Sequence, residues 1–168
     1  MIHLAQAGQL SLLRNIFGEV LIVLAVKREV IDEGIRRAYP DARLVAQALA
    51  EGYIVVYRTT SRISKRASKL ARQEKISPSD SETLMLAKTL RRPLLTDEKV
   101  LSMLARMYGL EVWNTWTVLL EALRTKLIDK EEIHKAISEL GERRHKLSPR
   151  NAKEILDAVE RISASKEA

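Results

Sequence analysis

Ile76-Ser-Pro-Ser-Asp-Ser-Glu-Thr-Leu-Met-Leu-Ala-Lys-Thr-Leu-Arg-Arg-Pro-Leu-Leu-Thr-Asp97 decides how the chain is read. It spells a loop, a helix, a tight turn and a short buried strand. Asp80 falls in the first turn of that helix, and Asp97 follows Leu94-Leu95-Thr96 at the carboxyl end of the strand. In open α/β sheets, ligands collect outside the carboxyl ends of strands. A carboxylate there borders a crevice where a hard cation finds oxygen ligands. Each acid also has a plainer explanation. Ser77-Pro78-Ser79-Asp80 fits an N-cap, a proline at the first helical position and an acid at the third. Ser79 with Glu82 fits the same box slightly later. One box needs one acid, so one of Asp80 and Glu82 is spare. Asp97 alone would serve as a cap for a helix over 98–107.

Working outward, 1–17 reads as one helix around Gly8, with Leu4, Leu10, Leu12, Leu13 and Ile16 at roughly helical spacing, ended by Gly18. Val20-Leu-Ile-Val23 is a buried strand. A helix follows over 25–32, stopped by Gly34, and carries Glu29 beside the strand end. Residues 41–51 form the next helix, and Tyr53-Ile-Val-Val-Tyr57 is the clearest strand. Then comes a basic helix. Arg58, Arg62, Lys65, Arg66, Lys69 and Arg72 fall on one face, with Ile63, Ala67, Leu70 and Ala71 on another. Such a face is commonly only solvated. Here acids are nearly absent, with Glu74 alone, and that favours a stripe that contacts phosphates.

Beyond the opening stretch, 99–108 reads as a helix ended by Gly109 and 111–115 as a strand. Residues 117–127 form a helix with Leu119, Leu120 and Leu123 inward. Asp129 and Glu132 form a capping box that opens a helix to about residue 144. Ser148-Pro149 opens a last helix over 150–162, with a frayed tail at 163–168. Strands alternate with helices and hairpin signals are absent. The expectation is an α/β fold of three layers, α/β/α, on a short, mainly parallel sheet, with helices added at the carboxyl end. A domain over 1–128 and a helical extension over 129–168 packed on it are expected.

The chain has 168 residues, 46% of them hydrophobic, enough for a core. It has no cysteine, so neither disulfides nor cysteine-ligated metals enter. No run of apolar residues suits a membrane span, and the start lacks a signal-peptide pattern, so a cytoplasmic protein is expected. A net charge of +7 suits a polyanionic partner, and equally suits solubility alone. Glycine-rich phosphate loops and nucleophile elbows are missing. His3, His134 and His145 lack zinc spacing. Met85, Met103 and Met107 read as core, and Trp113 and Trp116 as core or dimer contacts. What remains is a set of separated carboxylates, Glu29, Asp80 and Asp97, each at or next to a strand end. Such acids could hold Mg²⁺ or Mn²⁺, which activates water and offsets charge on a phosphate.

The chain resembles the PIN-domain family, the fold of VapC-type toxins and other metal-dependent ribonucleases. The matching pieces are Leu4-Ala-Gln-Ala-Gly-Gln-Leu-Ser-Leu-Leu13, Phe17-Gly-Glu-Val20, Ala25-Val-Lys-Arg-Glu-Val30, Ser79-Asp-Ser-Glu82 onward to Ala87, Leu95-Thr-Asp97, and Gly109-Leu-Glu-Val112 followed by Leu119-Leu120. Their order and spacing carry the likeness, over about 2–128. The resemblance implies metal and catalytic roles for Glu29, Asp80 and Asp97, with Thr96 orienting Asp97. Glu82 and Glu98 are lesser candidates. It implies RNA as the substrate, and the basic face of Arg62, Lys65, Arg66, Lys69 and Arg72 would bind its phosphates. It also implies an antitoxin protein as a partner, and a homodimer.

One piece of the family pattern is not found. The family begins with a hydrophobic mid-sheet strand that ends in an Asp, and this chain opens at Met1-Ile-His-Leu, already at the first helix. Either the start lies upstream or the gap is closed another way. Glu19, Asp32 and Glu33 are not at the vacated position. Three readings follow: a Mg²⁺- or Mn²⁺-dependent ribonuclease, a catalytically impaired module of the same fold that binds RNA or a protein partner, or a structural remnant whose basic charge only aids solubility.

Overall fold

Val20–Val23 and Ile54–Tyr57 are β-branched, apolar runs that pair as parallel strands β1 and β2, in the register Val20↔Ile54 to Val23↔Tyr57. A computed structural model of the chain describes residues 1–142 and 149–164. Strands β3 (Leu94–Leu95) and β4 (Val112–Trp113) form a second parallel pair. The strands are thus short and parallel, as expected, but they make two separate two-stranded sheets rather than one. Among the described residues no strand joins β1 to β3.

The helices, in chain order, are α1 (Ile2–Gln6), α2 (Leu12–Phe17), α3 (Leu24–Val26), α4 (Glu33–Arg36), α5 (Pro40–Ala50), α6 (Ser61–Glu74), α7 (Pro78–Leu90), α8 (Lys99–Met107), α9 (Thr115–Arg124), α10 (Lys130–Glu142) and α11 (Pro149–Ala164). A π-helical turn, Lys27–Asp32, runs between α3 and α4. The chain divides into two compact units: Met1–Gly18 with Thr115–Ala168, and Glu19–Asn114. The boundary expected near residue 128 falls inside the first unit, between α9 and α10.

In the first unit α9 packs against α2, α10 and α11, and α1 packs against α10. Leu4, Leu13, Leu119, Ile133, Leu140 and Val159 are fully buried. Gly8, at φ 67°, breaks the single helix expected over 1–17 into α1 and α2. The capping box before α10 is closed in both directions. Asp129 N–H donates to Glu132 Oε2 at 2.9 Å, and Glu132 N–H donates to Asp129 Oδ1 at 2.8 Å. His145, Ser148 and the end of the helix expected to reach residue 144 lie outside the described residues. So does most of the tail expected to fray, although Ser163 and Ala164 belong to α11.

The second unit is built on a helical hairpin. α6 and α7 are joined by Lys75-Ile76-Ser77 and pack along each other, and Lys75 takes the left-handed conformation that closes α6. Ile63, Ala67 and Leu70 of α6 meet Leu84, Met85 and Leu86 of α7 in a core that also takes in Val23, Leu94, Leu101 and Leu104. Two expectations fail here. Met103 and Met107 are 54% and 74% exposed, on the outer side of α8. Their helical spacing is real, but the covered face is the one bearing Leu101, Leu104 and Ala105. Gly34 does not stop a helix but lies buried within α4. A Cβ on Gly34 would stand 2.6 Å from the Ala42 Cβ of α5, so a hydrogen there lets the two helices touch. Gly34→Ala should therefore lower stability by about 2 kcal/mol, through overpacking. Gly141→Ala, in α10, meets nothing within 4 Å and should be neutral or stabilising by up to ~1 kcal/mol. Urea melts of the two variants check this.

Candidate nucleic-acid interface

Because β1 and β2 are parallel and in register to their last residues, their carboxyl ends open side by side. After β1 the chain enters α3 and the π-helical turn, where Arg28 and Glu29 follow one another on the surface. After β2 it runs through Arg58, Thr59 and Thr60, and Thr60 caps α6 by accepting from Ile63 N–H at 3.4 Å. Arg58 thus precedes the basic helix rather than belonging to it.

The amino end of α7 faces both of these segments. Ser77 is its N-cap and accepts from Asp80 N–H at 3.0 Å. Ser79 Oγ donates to Glu29 Oε2 at 2.9 Å, which ties the first turn of α7 to the π-helical turn. Glu82 Oε1 accepts from Thr59 Oγ1 and from Ser64 Oγ, the latter at 3.3 Å, and so links the end of β2, α6 and α7. Neither acid closes a capping box. Glu82 is turned toward Thr59 and Ser64, and the Asp80 carboxylate has no partner among the described residues. At the end of β3, Thr96 Oγ1 accepts from Glu98 N–H at 3.1 Å. Glu98, not Asp97, is the N-cap residue of α8.

Leu24, Ala25, Arg28, Arg58, Thr59 and Glu82 line an open cleft of about 530 Å³. Of these, sequence reading singled out only Glu82, as a lesser candidate, and Arg58, on the wrong element. The usable signal was there: Arg58-Thr59 directly follows the strand at 53–57, and strand ends are where ligands gather.

α6 presents two faces. Ile63, Ala67 and Leu70 are buried, while Arg62, Lys65, Arg66, Lys69 and Arg72 are exposed. Among the described residues none of these five cations has an ion-pair or hydrogen-bond partner. Some arginines elsewhere are engaged. Arg37 bonds Glu33 at 2.7 Å, and Arg36 bonds the same carboxylate. The Arg37 bond is the main cause holding the Glu33 carboxyl below its usual range. Arg124 clasps Glu121 at 2.6 and 2.8 Å. The α6 stripe is thus a row of cations that no acid neutralises.

Glu29 and Asp80 lie on the surface at neighbouring turns, and Asp97 follows β3. Among the described residues no group of three or more His, Asp or Glu could hold a metal ion. Asp32 pairs with Lys27 at 2.7 Å, Glu33 with its arginines, and Glu19 with Arg92 at 3.6 Å. No helix among the described residues is long and apolar enough to cross a membrane.

Mostly helical, with short parallel sheets whose carboxyl ends carry the polar groups, the fold is a mixed α/β one. The DUF3368 family model, a PIN domain, matches residues 1–161, and the chain belongs to the PIN-domain family. No curated protein and no solved structure matches it.

Proposed function

We propose that this chain is a PIN-domain protein that binds single-stranded RNA, gripping the backbone with the basic face of α6. The observation that carries this reading is the unneutralised row Arg62, Lys65, Arg66, Lys69 and Arg72. A helix that is only solvated mixes signs or pairs its arginines, as α4 and α9 do. Phosphates repeat along a strand, and a row of guanidinium and ammonium groups meets them with charge-assisted bonds. Single strands suit this grip because their flexible backbone can follow a row of cations. Titration of a labelled single-stranded RNA, followed by fluorescence anisotropy at rising salt, tests the reading. Affinity that falls steeply with salt supports it, and salt-insensitive affinity overturns it.

A second reading is favoured by family membership and by the acids near the strand ends: the bound RNA is also cut, with a divalent metal. PIN domains are typically nucleases and generally use such metals. Glu29, Asp80 and Asp97 are the acids proposed for that role. On this reading Mn²⁺-dependent cleavage falls by on the order of a hundredfold or more in Asp97→Asn, as loss of a metal-linked interaction does. Cleavage that survives the change belongs to another site or a contaminant. A toxin role, with an antitoxin protein and a homodimer as partners, is the setting such an activity would have. Copurification and sedimentation would check those partners.

A further inference from the structure

We infer that the cleft between the π-helical turn, the end of β2 and α7 is a ribonucleotide subsite. In it, Arg28 and Arg58 hold a phosphate and Glu82 reads the ribose 2′-hydroxyl. The inference rests on the RNA reading above and adds to it a place where RNA is distinguished from DNA.

The argument begins with charge. Arg28 and Arg58 both line the cleft, and neither has an ion-pair or hydrogen-bond partner among the described residues. The one acid in the lining, Glu82, is engaged elsewhere: its Oε1 takes hydrogen bonds from Thr59 and Ser64. Two unpaired guanidinium groups on one concavity favour an anion, and their planar forks match the oxygens of phosphate.

The rest of the lining narrows the ligand further. Leu24 and Ala25 form an apolar wall, which suits a sugar or base face rather than a second anion. Glu82 would repel a bare phosphate placed beside it. Its second oxygen, Oε2, takes no bond from Thr59 or Ser64, which both donate to Oε1. A carboxylate oxygen left open accepts from a hydroxyl, and the 2′-hydroxyl is the donor that RNA has and DNA lacks. Acid recognition of a ribose hydroxyl is familiar from dinucleotide sites. Phosphate for the arginines, hydroxyl for the acid and an apolar face for the wall together describe one ribonucleoside phosphate.

The same chemistry is offered by a free nucleotide and by a nucleotide within a strand, so the test uses both. Anisotropy compares an RNA with a DNA of identical sequence. Calorimetry compares adenosine 5′-monophosphate with its 2′-deoxy form. The proteins are the chain as given, Arg28→Ala/Arg58→Ala, Glu82→Ala, and a variant with Arg62 and Arg66 of α6 changed to Glu. The intact chain should prefer RNA over DNA by about tenfold, the worth of one hydrogen bond to a charged group. The double arginine variant should weaken RNA and DNA alike, and Glu82→Ala should bring their ratio to about one.

Because Glu82→Ala frees two hydroxyls, its melting temperature is recorded. The preference of the intact chain decides the matter even if that variant unfolds. RNA and DNA bound equally by the intact chain, with binding still lost in the α6 variant, overturns the subsite and leaves the α6 grip standing. Adenosine monophosphate preferred over its deoxy form, without binding of either strand, supports the subsite and overturns the α6 grip. Binding of neither overturns both.

Discussion

Replacing Arg62, Lys65, Arg66 and Lys69 together by Glu should reduce binding of single-stranded RNA below detection while leaving the fold intact. All four are exposed and unpaired, so the folded state loses no contact. The five cations of the stripe, each contributing a slope of ~0.7 for single strands, give a log–log salt slope of about −3.5. Between 50 and 200 mM salt, that slope corresponds to a loss of affinity on the order of a hundredfold. Arg66→Ala alone should flatten the slope by ~0.7, equally for all sequences, because phosphates carry no base information. A quadruple variant that binds as tightly as the intact chain would remove α6 from the interface.

The largest effect on stability is expected at Leu84→Ala. Leu84 is 0% exposed and belongs to the core that holds α6, α7, β3 and α8 together. Truncation there removes its transfer energy and leaves a cavity, at a cost of about 3 kcal/mol. For a chain of this size, that lowers the melting temperature by roughly 6–12 °C. Met107→Ala, at a residue 74% exposed, should stay within ~0.5 kcal/mol of the parent. Differential scanning calorimetry separates the two outcomes. A small loss at Leu84 would mean that the hairpin is not the centre of the unit.

The contrast between Leu84 and Met107 also shows how far the sequence reaches. Periodicity finds faces: the strands at 20–23 and 53–57, the two sides of α6 and the helix after Ser77 were all legible. It does not say which apolar face is covered, because coverage depends on neighbours distant in the chain. Met103 and Met107 were misread for that reason. Gly34 looked like a stop because glycine ends many helices, and its contact with Ala42 exists only once α4 and α5 meet. The split into two sheets also lies beyond local pattern, since pairing is decided across dozens of residues. At the candidate site, the acids and the basic stripe were visible one at a time. The pairings Glu29 with Ser79 and Glu82 with Thr59 span 50 and 23 residues, and no spacing rule reports them.

The π-helical turn at Lys27–Asp32 has a further consequence. Its wider i→i+5 ladder accommodates one more residue than an α-helical turn would. Deleting a single residue there would let the ladder close to α-helix with α3 and α4 still in phase, because the wider turn takes up the extra residue within one turn. Gly34 would then keep its seat on Ala42, while Glu29, inside the turn, would lose its bond to Ser79. In evolutionary terms, the turn behaves as a one-residue insertion that moves chemistry without moving packing.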